Sequence, residues 1–182
     1  MADQTKRVAI IASSYGVEAD ELLTPKGYLE SAGYEVVVAT PDSQTIQTLV
    51  SDKDPGPTVR ADAALAELSP SDFDLLVIPG GTINADTLRL QEDARRIAEG
   101  FAASGKPIAA ICHGPWLVVE TGLARGKTLT SYPSLRTDIT NAGGNWVDRS
   151  VEVDDAQGFT LITSRTPGDL TDFDAAIGEV LG

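Results

Sequence analysis

Short apolar runs recur along this chain, each closed by turn-forming residues: RVAIIA at 7–12 before Ser13-Ser14-Tyr15-Gly16, YEVVVAT at 34–40 before Pro41, DLLVI at 74–78 before Pro79-Gly80-Gly81, and PIAAI at 107–111 before Cys112. Runs this short and this apolar fit strands buried on both faces, the pattern of a parallel sheet covered by helices. Helical spacing fills the intervals. Glu18 to Ala32 places Leu22, Leu29 and Ala32 roughly on one face, with Pro25 expected to kink or restart it from a Thr24 cap, and Gly33 ends it. Ala94, Ile97, Ala98, Phe101 and Ala102 form a second helical stripe, stopped by Gly105 and Pro107. The alternation predicts an α/β fold, a three-layer sandwich with a mostly parallel central sheet.

The remaining segments are read the same way. Thr45 to Val50 alternates as a short strand, and SDKDPGP at 51–57 has turn composition, so the region reads as an excursion from the main sheet. Ala61 to Leu68 reads as a short helix and Thr82 to Asp86 as a loop. Lys127 to Thr130, Val151 to Val153 and Phe159 to Thr163 read as strands. Ser134 to Asn141 and Asp169 to Leu181 read as helices. No repeat, linker or low-complexity stretch interrupts the chain, and 182 residues suit one domain spanning 1–182.

Charge narrows the partners. A net charge of -13 repels phosphate backbones and anionic membranes, and the dispersed Lys and Arg residues make no basic patch, so nucleic acid is not an expected partner. No stretch approaches the roughly 18 apolar residues of a membrane span. The start MADQTKRV is too polar for a signal peptide, and the single cysteine forms no internal disulfide; both point to the cytoplasm.

The only cysteine and the only histidine are adjacent, in KPIAAICHGPWLVVE at 106–120. Gly114 and Pro115 suit a helix start, which puts Cys112 and His113 on a strand-to-helix turn, the setting of a hydrolase nucleophile elbow with cysteine in place of serine. Unpaired amides and the helix dipole at such a turn favour thiolate. The turns at Ser13-Ser14 and Pro79-Gly80-Gly81 end parallel strands on the same edge, so three loops are expected to form one pocket. His113 reads either as a base or as a residue whose backbone alone matters. Without a second His or Cys there is no metal-ligand pattern, and no cofactor is implied.

Longer motifs carry a family resemblance: GVEADEL at 16–22, VIPGG at 77–81, GKPIAAICHGPW at 105–116, LTSYPSLRTDITNAGGNWVD at 129–148 and TSRTPGDL at 163–170. Together they resemble the DJ-1/PfpI family, in particular its PfpI-type branch of intracellular cysteine peptidases (peptidase family C56) and related stress proteins. The resemblance implies a flavodoxin-like fold of the class I glutamine amidotransferase-like kind. It also implies Cys112 as nucleophile, Glu18 as the carboxyl group bonded to its sulfur, the amides of Gly81 and His113 as an oxyanion hole, and Tyr132 as a site-lining residue. His113 matches the catalytic histidine, and Asp86 matches the acid that a neighbouring subunit supplies to it. Thr82 to Asp86 departs from the family pattern, which often has proline before the acid. The expected active unit is a homodimer or a hexamer.

Three activities follow from the resemblance. A cysteine-dependent hydrolase acting on peptides comes first. The alternatives are a cofactor-independent glyoxalase or protein deglycase acting on small carbonyl compounds, and a redox-sensing stress protein or chaperone whose Cys112 oxidises.

Overall fold

The apolar runs at 7–12, 34–40, 74–78, 107–111 and 159–163 all become strands of one seven-stranded sheet in the computed structural model, which describes residues 5–182. Met1 to Gln4, part of the polar start on which the expectation of no leader rests, lie outside the described residues. The first half of the chain runs β1 (Arg7–Ile11), β2 (Tyr15–Glu18), α1 (Ala19–Ser31), β3 (Glu35–Thr40), β4 (Ile46–Val50), β5 (Asp54–Val59), β6 (Ala63–Ala64) and β7 (Leu75–Ile78). Next come α2 (Thr82–Leu90), α3 (Glu92–Ala103), β8 (Ile108–Ile111) and α4 (Pro115–Glu120). The chain closes with β9 (Thr128–Leu129), α5 (Arg136–Asn141), β10 (Asn145–Trp146), β11 (Val151–Asp154), β12 (Leu161–Ser164) and α6 (Leu170–Leu181).

The sheet order is β11-β12-β8-β7-β1-β3-β6, parallel throughout except for β11, which runs antiparallel to β12 at the edge. Successive strand residues point to opposite faces, so each run feeds two cores. Ala9, Ile11, Leu76, Ile78, Ile108 and Ala110 pack with Leu88 of α2, Ile97 and Phe101 of α3, and Leu117 of α4. Val8, Ile10, Leu75, Val77, Ala109 and Ile111 pack with Leu22 and Leu29 of α1 and with Phe173 and Ile177 of α6. This is the expected three-layer α/β arrangement.

Four local expectations are corrected. Pro25 neither kinks nor restarts α1, which runs unbroken: only the Glu21 carbonyl loses its helical partner, and buried Leu22 and Leu29 anchor the helix on either side. SDKDPGP contains the start of strand β5, which tolerates Pro55 and Pro57 because it is the outer strand of a separate sheet ordered β2-β4-β5. Ala61 to Leu68 is a two-residue strand followed by a single 3₁₀ turn, because Ala63 and Ala64 pair with the end of β3. Thr82 to Asp86 is the first part of helix α2, with Gly81 as its cap.

Candidate active site

Strand β8 delivers Cys112 at the carboxyl edge of the sheet with φ 62°, in the left-handed region that costs a non-glycine residue about 1–3 kcal/mol. Its neighbours hold it there. The Cys112 N–H donates to the Ser164 carbonyl at 3.0 Å, its carbonyl accepts from the Tyr132 N–H at 2.9 Å, and the Gly114 N–H closes the turn on the Ile111 carbonyl at 2.8 Å. Gly114 is required: a Cβ there would lie 2.5 Å from the Ile78 carbonyl oxygen and 2.9 Å from that of Ile111. This is the sharp strand-to-helix turn expected of a nucleophile elbow.

Burial pushes the Cys112 thiol up, against the expected bias toward thiolate, and the amides of Gly81 and His113, which face the sulfur, oppose that rise in part. The following helix α4 is six residues long, so the two aimed amides, rather than a long helix dipole, supply this opposition. Gly81 reaches the sulfur from the end of β7 with φ 88°, and a Cβ on it would sit 2.3 Å from the Gly16 carbonyl oxygen. Only glycine permits both the conformation and the approach.

The carboxyl group that faces the thiol is that of Glu21, where the expectation was Glu18. Glu21 is fully buried on α1; one oxygen accepts the Gly80 N–H at 2.7 Å, and Oε1 has no partner. Burial, partly offset by its bonds to Cys112 and Gly80, pushes its pKa up to about 8, so the carboxyl group is largely protonated at neutral pH. Burial and then the Glu21 charge push the Cys112 thiol up in turn. The two groups compete for ionisation and titrate as a pair. Glu18 lies at the end of β2, before the helix turns inward; its carboxylate lines the same pocket but accepts the Ser51 and Asp52 N–H groups at 3.0 and 3.1 Å.

His113 Nδ1 is 3.2 Å from Cys112 Sγ, so the imidazole, not only its backbone, addresses the sulfur. The ring stacks on Tyr132 at 4.7 Å and meets Trp116 edge-on at 5.2 Å. Burial lowers its pKa, opposed by the charge of Asp52. Its other nitrogen, Nε2, faces Thr82 Oγ1 at 3.4 Å and Ser134 Oγ at 3.5 Å. Asp86 is exposed on α2, one turn beyond Thr82, and is not among the His113 contacts within this protomer.

The pocket of about 350 Å³ therefore unites Cys112, His113, Gly81 and Tyr132 with Glu18, Glu21 and the Ser51-Asp52 turn. Ser13 and Ser14, expected to share it, line a different cleft with Tyr15 and Ile83. Glu21 had a sequence signal: Glu21, Pro25 and Leu29 share the i, i+4, i+8 stripe that α1 buries, and an acid on that stripe is unusual. Asn84, fully buried, also escaped the pattern. It accepts the Ser13 N–H at 2.7 Å and donates to the carbonyls of Pro79 and Gly80 at 3.1 and 3.0 Å, tying the ends of β1 and β7 together.

The fold and this elbow define a cysteine-bearing α/β domain, and the chain belongs to the DJ-1/PfpI family, whose sequence pattern matches residues 6–179. Among its relatives, a protein of Pyrococcus abyssi named as a deglycase is 40% identical over 161 residues, covering 88% of this chain and 91% of the relative. The Bacillus subtilis protein named "Putative cysteine protease YraA" is 37% identical over 169 residues, covering 93% and 94%. A two-domain protein of Anabaena variabilis containing DJ-1/ThiJ/PfpI-like and ferritin-like domains superposes with a TM-score of 0.87 at 37% identity. That match covers 98% of this chain, which spans about half (48%) of the larger protein.

Proposed function

We propose that the protein is a cysteine-dependent hydrolase in which Cys112 attacks an electrophilic carbonyl carbon. The observation that carries this reading is the convergence of three groups on one sulfur: His113 Nδ1 at 3.2 Å and the amides of Gly81 and His113. His113 takes the thiol proton, and the new C–S bond turns the carbonyl oxygen into an oxyanion held by the two amides. Collapse breaks the bond to the leaving group, which receives the proton from His113, and water then releases the acyl group and restores the thiol. The relative named as a cysteine protease favours a peptide substrate.

A second reading has its own support. Glu21, held protonated close to neutrality beside the thiol, is placed to move a proton during addition of the thiolate to an aldehyde. With the relative named as a deglycase, this favours action on 2-oxoaldehydes or their adducts. On either reading the protein works in the cytoplasm as a single-domain homo-oligomer. Exposed Ile83 and Leu90, on the same helix α2 as Asp86, suit a face covered by a second copy, which would bring Asp86 toward the partner's pocket.

Turnover of peptides, glycated model amines and methylglyoxal by wild type and Cys112→Ser, measured side by side, tests both. Cys112→Ser should lose at least about 10²-fold on the true substrate. Full turnover by the variant ends the proposal, and the substrate class lost by the variant selects between the readings.

A further inference from the structure

The hairpin turn between β4 and β5 comes from the separate three-stranded sheet, yet it touches the catalytic pocket through Asp52. Asp52 Oδ1 accepts the Thr82 N–H at 2.9 Å, and its Oδ2 accepts the Thr82 hydroxyl at 2.7 Å. The same hydroxyl oxygen stands 3.4 Å from His113 Nε2. We infer that Asp52 and Thr82 form an intramolecular relay that fixes the tautomer of His113, completing a Cys112–His113–Thr82–Asp52 chain within one protomer.

The argument is one of donor inventory. A threonine hydroxyl has one proton, and at 2.7 Å from a carboxylate oxygen that proton is committed to Asp52. Toward His113 the hydroxyl can then only accept, so Nε2 carries the imidazole proton and Nδ1 presents its lone pair to Cys112 Sγ. This is the tautomer that can take the thiol proton. When His113 becomes imidazolium, the Asp52 charge stabilises it through the hydroxyl, as an orienting acid does in a triad. The 3.4 Å contact is long in the substrate-free site, as such hydrogen bonds often are before substrate binds.

Asp52 is itself held in place. Ser51 and Asp52 both have φ 56°, a left-handed pair, and the N–H groups of both donate to the Glu18 carboxylate. Glu18 thus acts on the site by locking the turn that carries Asp52. Asp52, Thr82 and Glu18 are positioning residues. The charged or titratable groups lining the pocket with His113 are Glu18, Glu21, Asp52, Cys112 and Tyr132; Glu21 faces the thiol, and Asp52 reaches Nε2 only through the Thr82 hydroxyl.

The relay's role in proton transfer rests on the proposed use of His113 by Cys112, but its test does not. His113 is the only histidine, so ¹⁵N-histidine NMR of the full chain reports its tautomer and titration without ambiguity. Wild type should hold the Nε2–H tautomer. Thr82→Val should give a mixed or Nδ1–H tautomer and Thr82→Ser should restore the wild-type state. Asp52→Asn should lower the His113 midpoint by about one unit. Ser134→Ala should leave the tautomer unchanged. On a verified substrate, Thr82→Val should lower kcat by about 10- to 100-fold with KM nearly constant. An Nδ1–H tautomer in wild type, or a tautomer and midpoint indifferent to both Thr82→Val and Asp52→Asn, overturns the relay. A relay that responds as stated in a protein with no Cys112-dependent turnover overturns the hydrolase reading instead.

Discussion

Two buried polar clusters, one around Lys127 and one around Cys112, are built on contrary principles. Lys127, 1% exposed, directs its ammonium at the carbonyls of Asp154, Ala156 and Phe159, with the Asp154 carboxylate at 3.4 Å and the Phe159 ring centroid at 4.0 Å. Its three N–H donors have three acceptors, and the Asp154 carboxylate is further satisfied by the Thr128 and Ala156 N–H groups at 2.8 and 2.7 Å. Around Cys112 the reverse holds. Cys112 is in a left-handed conformation, Glu21 Oε1 has no partner, and Ser164 Oγ, on the residue whose carbonyl holds Cys112, is also unpaired. A buried cluster that satisfies all its groups stores stability. One that leaves them strained and unpaired stores reactivity, at a cost the rest of the fold carries.

The contrast can be broken by showing that both clusters respond alike. Cys112→Ala should remove about 10³-fold or more of any turnover while changing the unfolding free energy by no more than about 1 kcal/mol, since alanine keeps the Cβ and its backbone conformation and removes only the sulfur. A large loss of stability in denaturant titration would mean that Cys112 is a packing residue first. Lys127→Met should do the opposite: leaving the buried carbonyls unpaired and the Asp154 charge without its cation costs about 3–5 kcal/mol by denaturant titration, with Cys112 alkylation kinetics unchanged in the folded protein.

The carboxyl groups sharpen the comparison through pH. The Glu21 charge pushes the Cys112 thiol up, so Glu21→Gln should move the pH profile of Cys112 alkylation by iodoacetamide to lower pH by about one unit or more. The stability signature is equally signed. The folded pKa of Glu21 is raised to about 8, so the native state holds a proton that the unfolded chain releases, and stability falls as pH rises from the ordinary glutamate range through about 8. Thermal unfolding across that range should show a slope that Glu21→Gln removes. Asp174 is the smallest case. Buried in α6 with Oδ1 unpartnered and its pKa raised to about 6 by burial, it should cost stability between about pH 4 and 6, and Asp174→Asn should flatten that part of the Tm profile.

Much of this molecule is legible in its sequence because burial is a local, periodic signal. The apolar runs gave the parallel strands, the stripe from Ala94 to Phe101 gave α3, and Gly114-Pro115 after an apolar strand gave the elbow and therefore Cys112. Turn composition misled at Pro55 and Pro57, where an outer strand needs only half of its backbone groups. The two glutamates of GVEADEL show where local reading stops. Glu18 and Glu21 are three residues apart and chemically alike, but the first is at a strand end facing the hairpin turn and the second one turn into a helix facing the sulfur.

The sequence by itself therefore determined the layers, the strand ends and the place of Cys112 on its strand-to-helix turn. Tertiary structure alone decided which acid shares the thiol's proton and which loop reaches His113. Docking of α1 against the sheet buries Glu21, and docking of the β4–β5 hairpin brings Asp52 to Thr82 across thirty positions of sequence. Such partnerships depend on distances between packed elements, and no period of side chains along one element encodes those distances.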